Sequence, residues 1–198
     1  MNIFHVIIPH SRPGLENGLC ERLGMNRHCI VDPRFITLEL PPDCFDICYW
    51  KINRALDRYL RNEYFQNQGD GHKHWLHFLC DDDLVSPGFY DRLDTSGTNI
   101  HHITMRRGQH DKGMHHECST LHARPENRCT GKIGLEQLIV RDYIMQNRRF
   151  NENHHCADGF MAERLAAEVV NWSYHGDGPT DPIVFFNAFE PGRWDHPC

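Results

Sequence analysis

The sequence has no apolar stretch long enough to cross a bilayer, no CxxC pair, no internal repeat, no low-complexity tract and no excess of basic charge. Each absence excludes something. Spanning a membrane takes about 20 consecutive apolar residues, so no transmembrane helix is expected, and any action at a membrane would need peripheral attachment or a partner. Nine cysteines, odd in number and scattered, argue against a disulfide framework and for reduced thiols. A formal charge of −6 makes nucleic acid an unfavourable partner. Polyphosphates remain open, because a divalent cation and a few arginines can supply local positive charge. The segment Met1–Pro9 has neither a basic leader region nor a small-residue cleavage site, so it reads as a first strand, and the expected location is the cytoplasm.

What is present fits one soluble globular domain spanning residues 1–198, with 39% apolar and 24% charged residues. Sixteen histidines are unusual. His115, His116, Cys118 and His122 could supply zinc ligands, but their spacing matches no finger pattern, and a polar loop is the plainer reading. Sequence leaves open whether the 110–129 segment holds a second metal.

The densest signal is Trp75-Leu-His-Phe-Leu-Cys-Asp-Asp-Asp83, an apolar run of strand length that ends in three carboxylates. Ser86-Pro87-Gly88 follows, with the N-cap and first-turn proline of a helix. Aspartates at the carboxyl end of a strand in an open α/β sheet stand where ligands bind. Hard oxygen donors there suit Mg²⁺ or Mn²⁺ carrying nucleotide phosphates. A solvated acidic turn, with one aspartate capping the next helix, is the competing reading.

Along the chain, His10–Gly14 reads as a turn at the same sheet edge as the aspartates. His28–Val31 and Phe35–Leu40 read as strands. Phe45–Arg61 reads as a helix with Ile47, Trp50, Leu56, Tyr59 and Leu60 on its apolar face. Ile100–Met105 and Ile183–Phe189 are further strands, 107–128 is an irregular histidine-rich loop, and Phe160–Val170 is a helix that places Asp158 near its N-cap. Strands alternating with helices predict an α/β fold whose N-terminal half binds a nucleotide.

Four stretches resemble the GT-A-fold glycosyltransferases, especially the family 2 type that use nucleotide-diphosphate sugars. They are Val6-Ile-Ile-Pro-His-Ser-Arg12, Lys51-Ile-Asn-Arg-Ala-Leu56, Phe78-Leu-Cys-Asp-Asp-Asp-Leu-Val-Ser-Pro-Gly-Phe-Tyr90, and Gly131-Lys-Ile-Gly-Leu-Glu-Gln-Leu-Ile-Val-Arg141 followed by Cys156-Ala-Asp-Gly-Phe-Met-Ala-Glu-Arg-Leu165. The resemblance implies a single-domain GT-A fold, Rossmann-like, with a central mixed sheet flanked by helices. Residues 1–93 would form the nucleotide-sugar half with its DxD motif, and residues 94–198 the acceptor half.

The implied activity is metal-dependent transfer of a sugar from a UDP-, GDP- or dTDP-sugar to a glycan or other hydroxyl acceptor, inverting, with Mn²⁺ or Mg²⁺ as cofactor. Pro9, Arg12, Asn53, Asp81 and Asp82 would bind the nucleotide sugar, Asp83, Asp81 and His175 the metal, and Lys132 and Gln137 the acceptor. Asp158 would be the general base, and it stands after Ala157 where the family has an acidic pair. Glu163 reads as a surface or supporting residue, and Trp172 and Trp194 as packing or sugar-stacking rings. Two other readings compete. One is a metal-dependent hydrolase or nucleotidyl enzyme, which needs histidines to converge on the aspartates. The other is a GT-A-like module that binds a nucleotide or glycan without turnover.

Overall fold

The structure, a computed structural model, describes residues 1–10, 32–39, 48–80, 83–107, 120–152, 154, 156–176, 178 and 180–186, with the backbone alone for 9, 10, 32–39, 48, 107 and 186. The strands are β1 (Asn2–His10), β2 (Asp32–Glu39), β3 (Lys73–Phe78), β4 (Leu84–Val85), β5 (Ile100–Arg107), β6 (Thr120–Leu121), β7 (Leu138–Arg141), β8 (Trp172–His175) and β9 (Ile183–Phe186). The helices are α1 (Cys48–Tyr59) and α2 (Ala157–Glu168).

The sheet order is β2-β1-β3-β7-β5-β9-β4, with β6 and β8 also paired to β5. β1 runs parallel to β2 and β3, while β7 is antiparallel to both β3 and β5, so the sheet is mixed. β5 is its hub. The first half of β5 pairs with β7 and β8, and the second half pairs with β6 and β9.

Strand alternation sorts side chains to two faces. Ile7, Leu76 and Phe78 meet α1 and α2 on one face, among Ile52, Leu56, Tyr59, Met161 and Leu165. Phe4, Val6, Trp75 and Leu79 point the other way and pack with Phe89, Tyr90, Ile103 and Val184. α1 buries Ile52, Ala55, Leu56, Tyr59 and Leu60, the spacing of one helical stripe. Trp50, expected on that stripe, lies outside it under the Arg54 guanidinium, 5.2 Å from the ring centre. After Tyr59 the helix widens into a π turn, Leu60–Tyr64, and ends with an α turn at Phe65–Asn67.

The helix expected after Ser86-Pro87 is absent from these described residues: the chain makes a single 3₁₀ turn at Tyr90–Arg92. Two features decide this. Gly88 adopts φ 65°, a left-handed conformation that interrupts a right-handed helix. The Ser86 hydroxyl accepts from the Ile183 amide at 3.1 Å, and the Ser86 amide donates to the Ile183 carbonyl at 2.9 Å. The serine therefore splices β4 to β9 instead of capping a helix. α2 begins earlier than the expected Phe160, with Cys156 at its N-cap and Asp158 in its first turn. No helix among the described residues is long and apolar enough to cross a membrane.

Candidate active site

The parallel strands β1 and β3 both end on one edge, and the chain leaving β3 brings Cys80 and Asp83 there. The Cys80 amide donates to Asp83 Oδ2 at 2.8 Å, and the Asp83 amide donates back to the Cys80 carbonyl at 3.2 Å. This closed turn holds the Asp83 carboxylate inward, where it is 1% exposed. Antiparallel β7 supplies the third member: Glu136, in the 3₁₀ turn Leu135–Gln137 that enters it. Its carboxylate accepts from the Cys80 thiol at 3.5 Å. One ligand atom each from Cys80, Asp83 and Glu136 falls within 4.8 Å of the others.

Glu136 is held from behind. The Glu136 carbonyl lies 3.0 Å from His77 Nε2, and His77 Nδ1 lies 2.9 Å from the Tyr90 hydroxyl. A carbonyl can only accept, so Nε2 carries the proton and Nδ1 receives the tyrosine's hydrogen bond. Burial holds His77 neutral, pulling its pKa from 6.5 down to about 4, against a smaller opposing effect of the Glu136 carbonyl. Burial also raises the Tyr90 pKa well above its ordinary value, so the phenol stays a donor. Phe89 stacks on His77 at 5.4 Å and fixes the ring plane.

The turn itself is fastened by Gln137. Its amide nitrogen donates to the Ile103 and Leu121 carbonyls at 2.8 and 2.9 Å, and its oxygen accepts from the Gly134 amide at 2.9 Å. Fully buried, Gln137 is a staple between strands and offers no group to an acceptor. Gly134 passes close to this group: a Cβ there would stand 2.7 Å from the Met105 methyl and 2.9 Å from Glu136 Oε2, so both side-chain ends would have to shift. Lys132, four residues before Glu136, is exposed.

Asp158 sits partly exposed in the first turn of α2, where a carboxylate is favoured by the helix dipole, and accepts from the Gly159 amide at 2.7 Å. α2 is docked by its own residues. A Cβ on Gly159 would meet Thr130 Cα at 2.4 Å, and Glu163 accepts from both the amide and the hydroxyl of Thr130 at 2.8 Å. Glu163 thus anchors the helix to the segment that leads to Glu136.

Other expected site residues are placed differently. Asn53 spends both amide donors on the Phe150 carbonyl and on Glu152, each at 2.9 Å, and its oxygen accepts from the Phe150 amide at 2.9 Å. It clamps α1 to the chain approaching α2, with no donor left for a nucleotide. His175 ends β8, with Nε2 2.9 Å from His101 Nδ1, and is outside the Cys80–Asp83–Glu136 group. The adjacent Gly176, at φ 115°, lets the chain pass Thr104, whose Cβ would be 2.3 Å from a side chain there. Trp172 donates to the Val169 carbonyl at 3.0 Å and packs under Arg128. Asp81, Asp82, Arg12, His115, His116, Cys118 and Trp194 lie outside the described residues, and Pro9 is described by its backbone only, paired with Leu38.

The sequence reading missed Cys80, Glu136, His77 and Tyr90. Glu136 was within reach, since it adjoins Gln137 in a stretch already singled out. A 3₁₀ turn points neighbouring residues in different directions, and here the glutamate faces the ligand group while the glutamine faces the sheet.

The donor set fits a divalent cation: two buried carboxylates and a thiol converge from two segments, the turn after β3 and the turn before β7. Its sulfur favours a softer ion than Mg²⁺.

No protein-family model and no curated protein sequence matches the chain. Among solved structures, it superposes on the crystal structure of S. aureus TarS 1-349 with a TM-score of 0.54 and 12% identity, covering 91% of this chain and 59% of that one. The chain thus spans well under two thirds of that structure. A second match is the crystal structure of a glycosyltransferase involved in glycosylation of the major capsid of PBCV-1, with a TM-score of 0.37 and 12% identity, covering 87% of this chain and 80% of that one. The first likeness shows a shared mixed α/β fold.

Proposed function

We propose that this chain transfers a sugar from a nucleotide-diphosphate donor to a hydroxyl acceptor in a metal-dependent, inverting reaction. The observation that carries the reading is the convergence of Asp83, Glu136 and Cys80 at the strand edge where α/β sheets bind ligands, in a chain whose sequence stretches resemble the GT-A glycosyltransferases. Asp83 and Glu136 would hold a divalent cation, their carboxylate oxygens suiting Mn²⁺ or Mg²⁺, and that cation would offset the charge that develops on the departing diphosphate. His77 and Tyr90 keep the Glu136 turn in place. Asp158 takes the acceptor hydroxyl's proton as that oxygen attacks the anomeric carbon and the bond from that carbon to the diphosphate oxygen breaks. One displacement from the opposite face inverts the anomeric centre.

The hydrolase reading requires histidines in the metal group. Among the described residues His101 and His175 pair with each other and His77 is committed behind Glu136, so nothing described favours it.

The test is incubation with UDP-, GDP- and dTDP-sugars, Mn²⁺ and a mixed glycan acceptor panel, with release of nucleoside diphosphate and glycosylated product both followed. Transfer is expected for one donor class, with Asp158→Asn retaining donor binding and losing transfer. Normal transfer by Asp158→Asn would remove the base assignment. Donor consumption without any glycosylated product would remove the transferase reading.

A further inference from the structure

At the opposite end of the parallel strands, α1 runs out through its π turn to Phe65, and the chain leaving β7 passes beside it at Gln146–Arg149. Between them opens a groove of about 450 Å³, within the roughly 300–1,000 Å³ typical of small-ligand sites. Three arginines line it: Arg54, Arg61 and Arg149. Their commitments differ. Arg149 holds Asp57 Oδ1 through Nε at 2.8 Å and Nη2 at 2.6 Å, so the groove's one carboxylate is already matched. Arg61 donates only its Nε, to the Asp57 carbonyl at 3.2 Å. Arg54 lies over the Trp50 ring. Neither Arg54 nor Arg61 has a carboxylate partner among the described residues.

Two uncompensated guanidinium groups therefore share one groove on a chain whose net charge is −6. They sit on the same side of the helix, seven residues apart, with Phe65 four residues further on and 67% exposed at the rim. The π turn Leu60–Tyr64, which contains Arg61, adds to the picture, since such turns are rare and are frequent at functional places. A single carboxylate is satisfied by one guanidinium, as Asp57 is by Arg149. Two facing one space suit a group with at least two negative oxygens, and planar guanidinium matches phosphate in a two-pronged manner.

We infer that this groove binds a phosphate-bearing ligand, with Arg54 and Arg61 as its charged clamp and Phe65 as an apolar lip. The site is separate from the acidic group at the other strand edge and does not depend on the transferase reading. The phosphate can belong to a free phosphorylated compound or to a lipid headgroup. Both supply the same chemistry.

The experiment uses the full chain in chelator-containing buffer, which keeps any cation-dependent site silent. Inorganic pyrophosphate is titrated by calorimetry, and vesicles of phosphatidic acid in phosphatidylcholine are tested by co-sedimentation, at low and high salt. Wild type is expected to bind at least one probe, more weakly at high salt. Arg54→Gln/Arg61→Gln is expected to lose roughly tenfold or more in affinity. Both positions are exposed, so the double variant should keep its melting temperature. Pyrophosphate binding lost in the variant assigns a free phosphorylated compound. Vesicle binding alone, lost in the variant, assigns a headgroup. Failure of wild type to bind either probe, or binding that survives in the double variant, overturns the inference.

Discussion

The two ends of β3 carry opposite charge although the strand is only six residues long. Beyond its carboxyl end stand the carboxylates of Asp83 and Glu136 with the Cys80 thiol, while at its amino end lies the groove of Arg54 and Arg61. Buried polar groups serve each end differently. His77 fixes the backbone of Glu136 on one side. On the other, His5 Nε2 lies 2.9 Å from His74 Nδ1, and His74 Nε2 lies 3.0 Å from the Asp70 carboxylate, a chain that leads outward to the surface. The net charge of −6 describes neither end. Recognition follows local charge that the sheet keeps apart, so each end should respond to substitution without the other.

The largest expected effect is at the acidic end. Asp83→Asn should lower transfer by on the order of 100-fold or more, as loss of a group that stabilises transition-state charge does, while leaving pyrophosphate binding in the arginine groove unchanged. A loss of both functions together would break the separation of the two ends.

Next is the acid response of the buried histidines. His77 is pulled down to about 4, His102 to about 4 and His101 to about 3, each mainly by burial. In the folded state their pKa values lie below the unfolded value of 6.5, so between pH 6.5 and 4 the unfolded chain binds protons that the folded chain refuses. Their stabilising contribution is full above pH 6.5 and is lost as pH falls through that window. The part owed to His77 is about 3 kcal/mol over the whole window and about 2 kcal/mol between pH 7 and pH 5. Denaturant unfolding at pH 7 and pH 5 measures it, with His77→Gln expected to show a shallower loss; an identical loss in both proteins would contradict the account.

Asn53→Ala should cost about 2 kcal/mol, because it strands the Phe150 amide and carbonyl in a buried place. Donor affinity should hold. A selective loss of donor binding with stability intact would instead make Asn53 a nucleotide ligand. The smallest effect is on stability in Arg54→Gln/Arg61→Gln, expected to stay within about 0.5 kcal/mol as for exposed positions generally.

The longer elements were legible in the sequence, as was the short β9, while β4 and β8 were not. β1, β3, β5, α1 and α2 announce themselves by apolar runs or helical spacing. β4 has two residues and β8 four, too few for a period to register, and they exist because β9 and β5 offer them partners. The same distinction governs the site. Asp83 stood out because it ends a strand in an acidic run. Glu136 joins it only through the pairing of β7 with β3, in which Ile139 lies opposite His77, a tertiary fact that no local pattern carries. Ser86 and Gly88 misled for a related reason: a capping signature was spent on a strand splice.

The most direct test of the central claim is a calorimetric titration of Mn²⁺ into wild type and Glu136→Gln, each with and without a UDP-, GDP- or dTDP-sugar. The account expects Mn²⁺ to bind wild type, more tightly with one donor class, and Glu136→Gln to lose at least roughly tenfold in metal affinity. Equal Mn²⁺ binding by the two proteins, or none by either, would contradict a metal centre built on Cys80, Asp83 and Glu136.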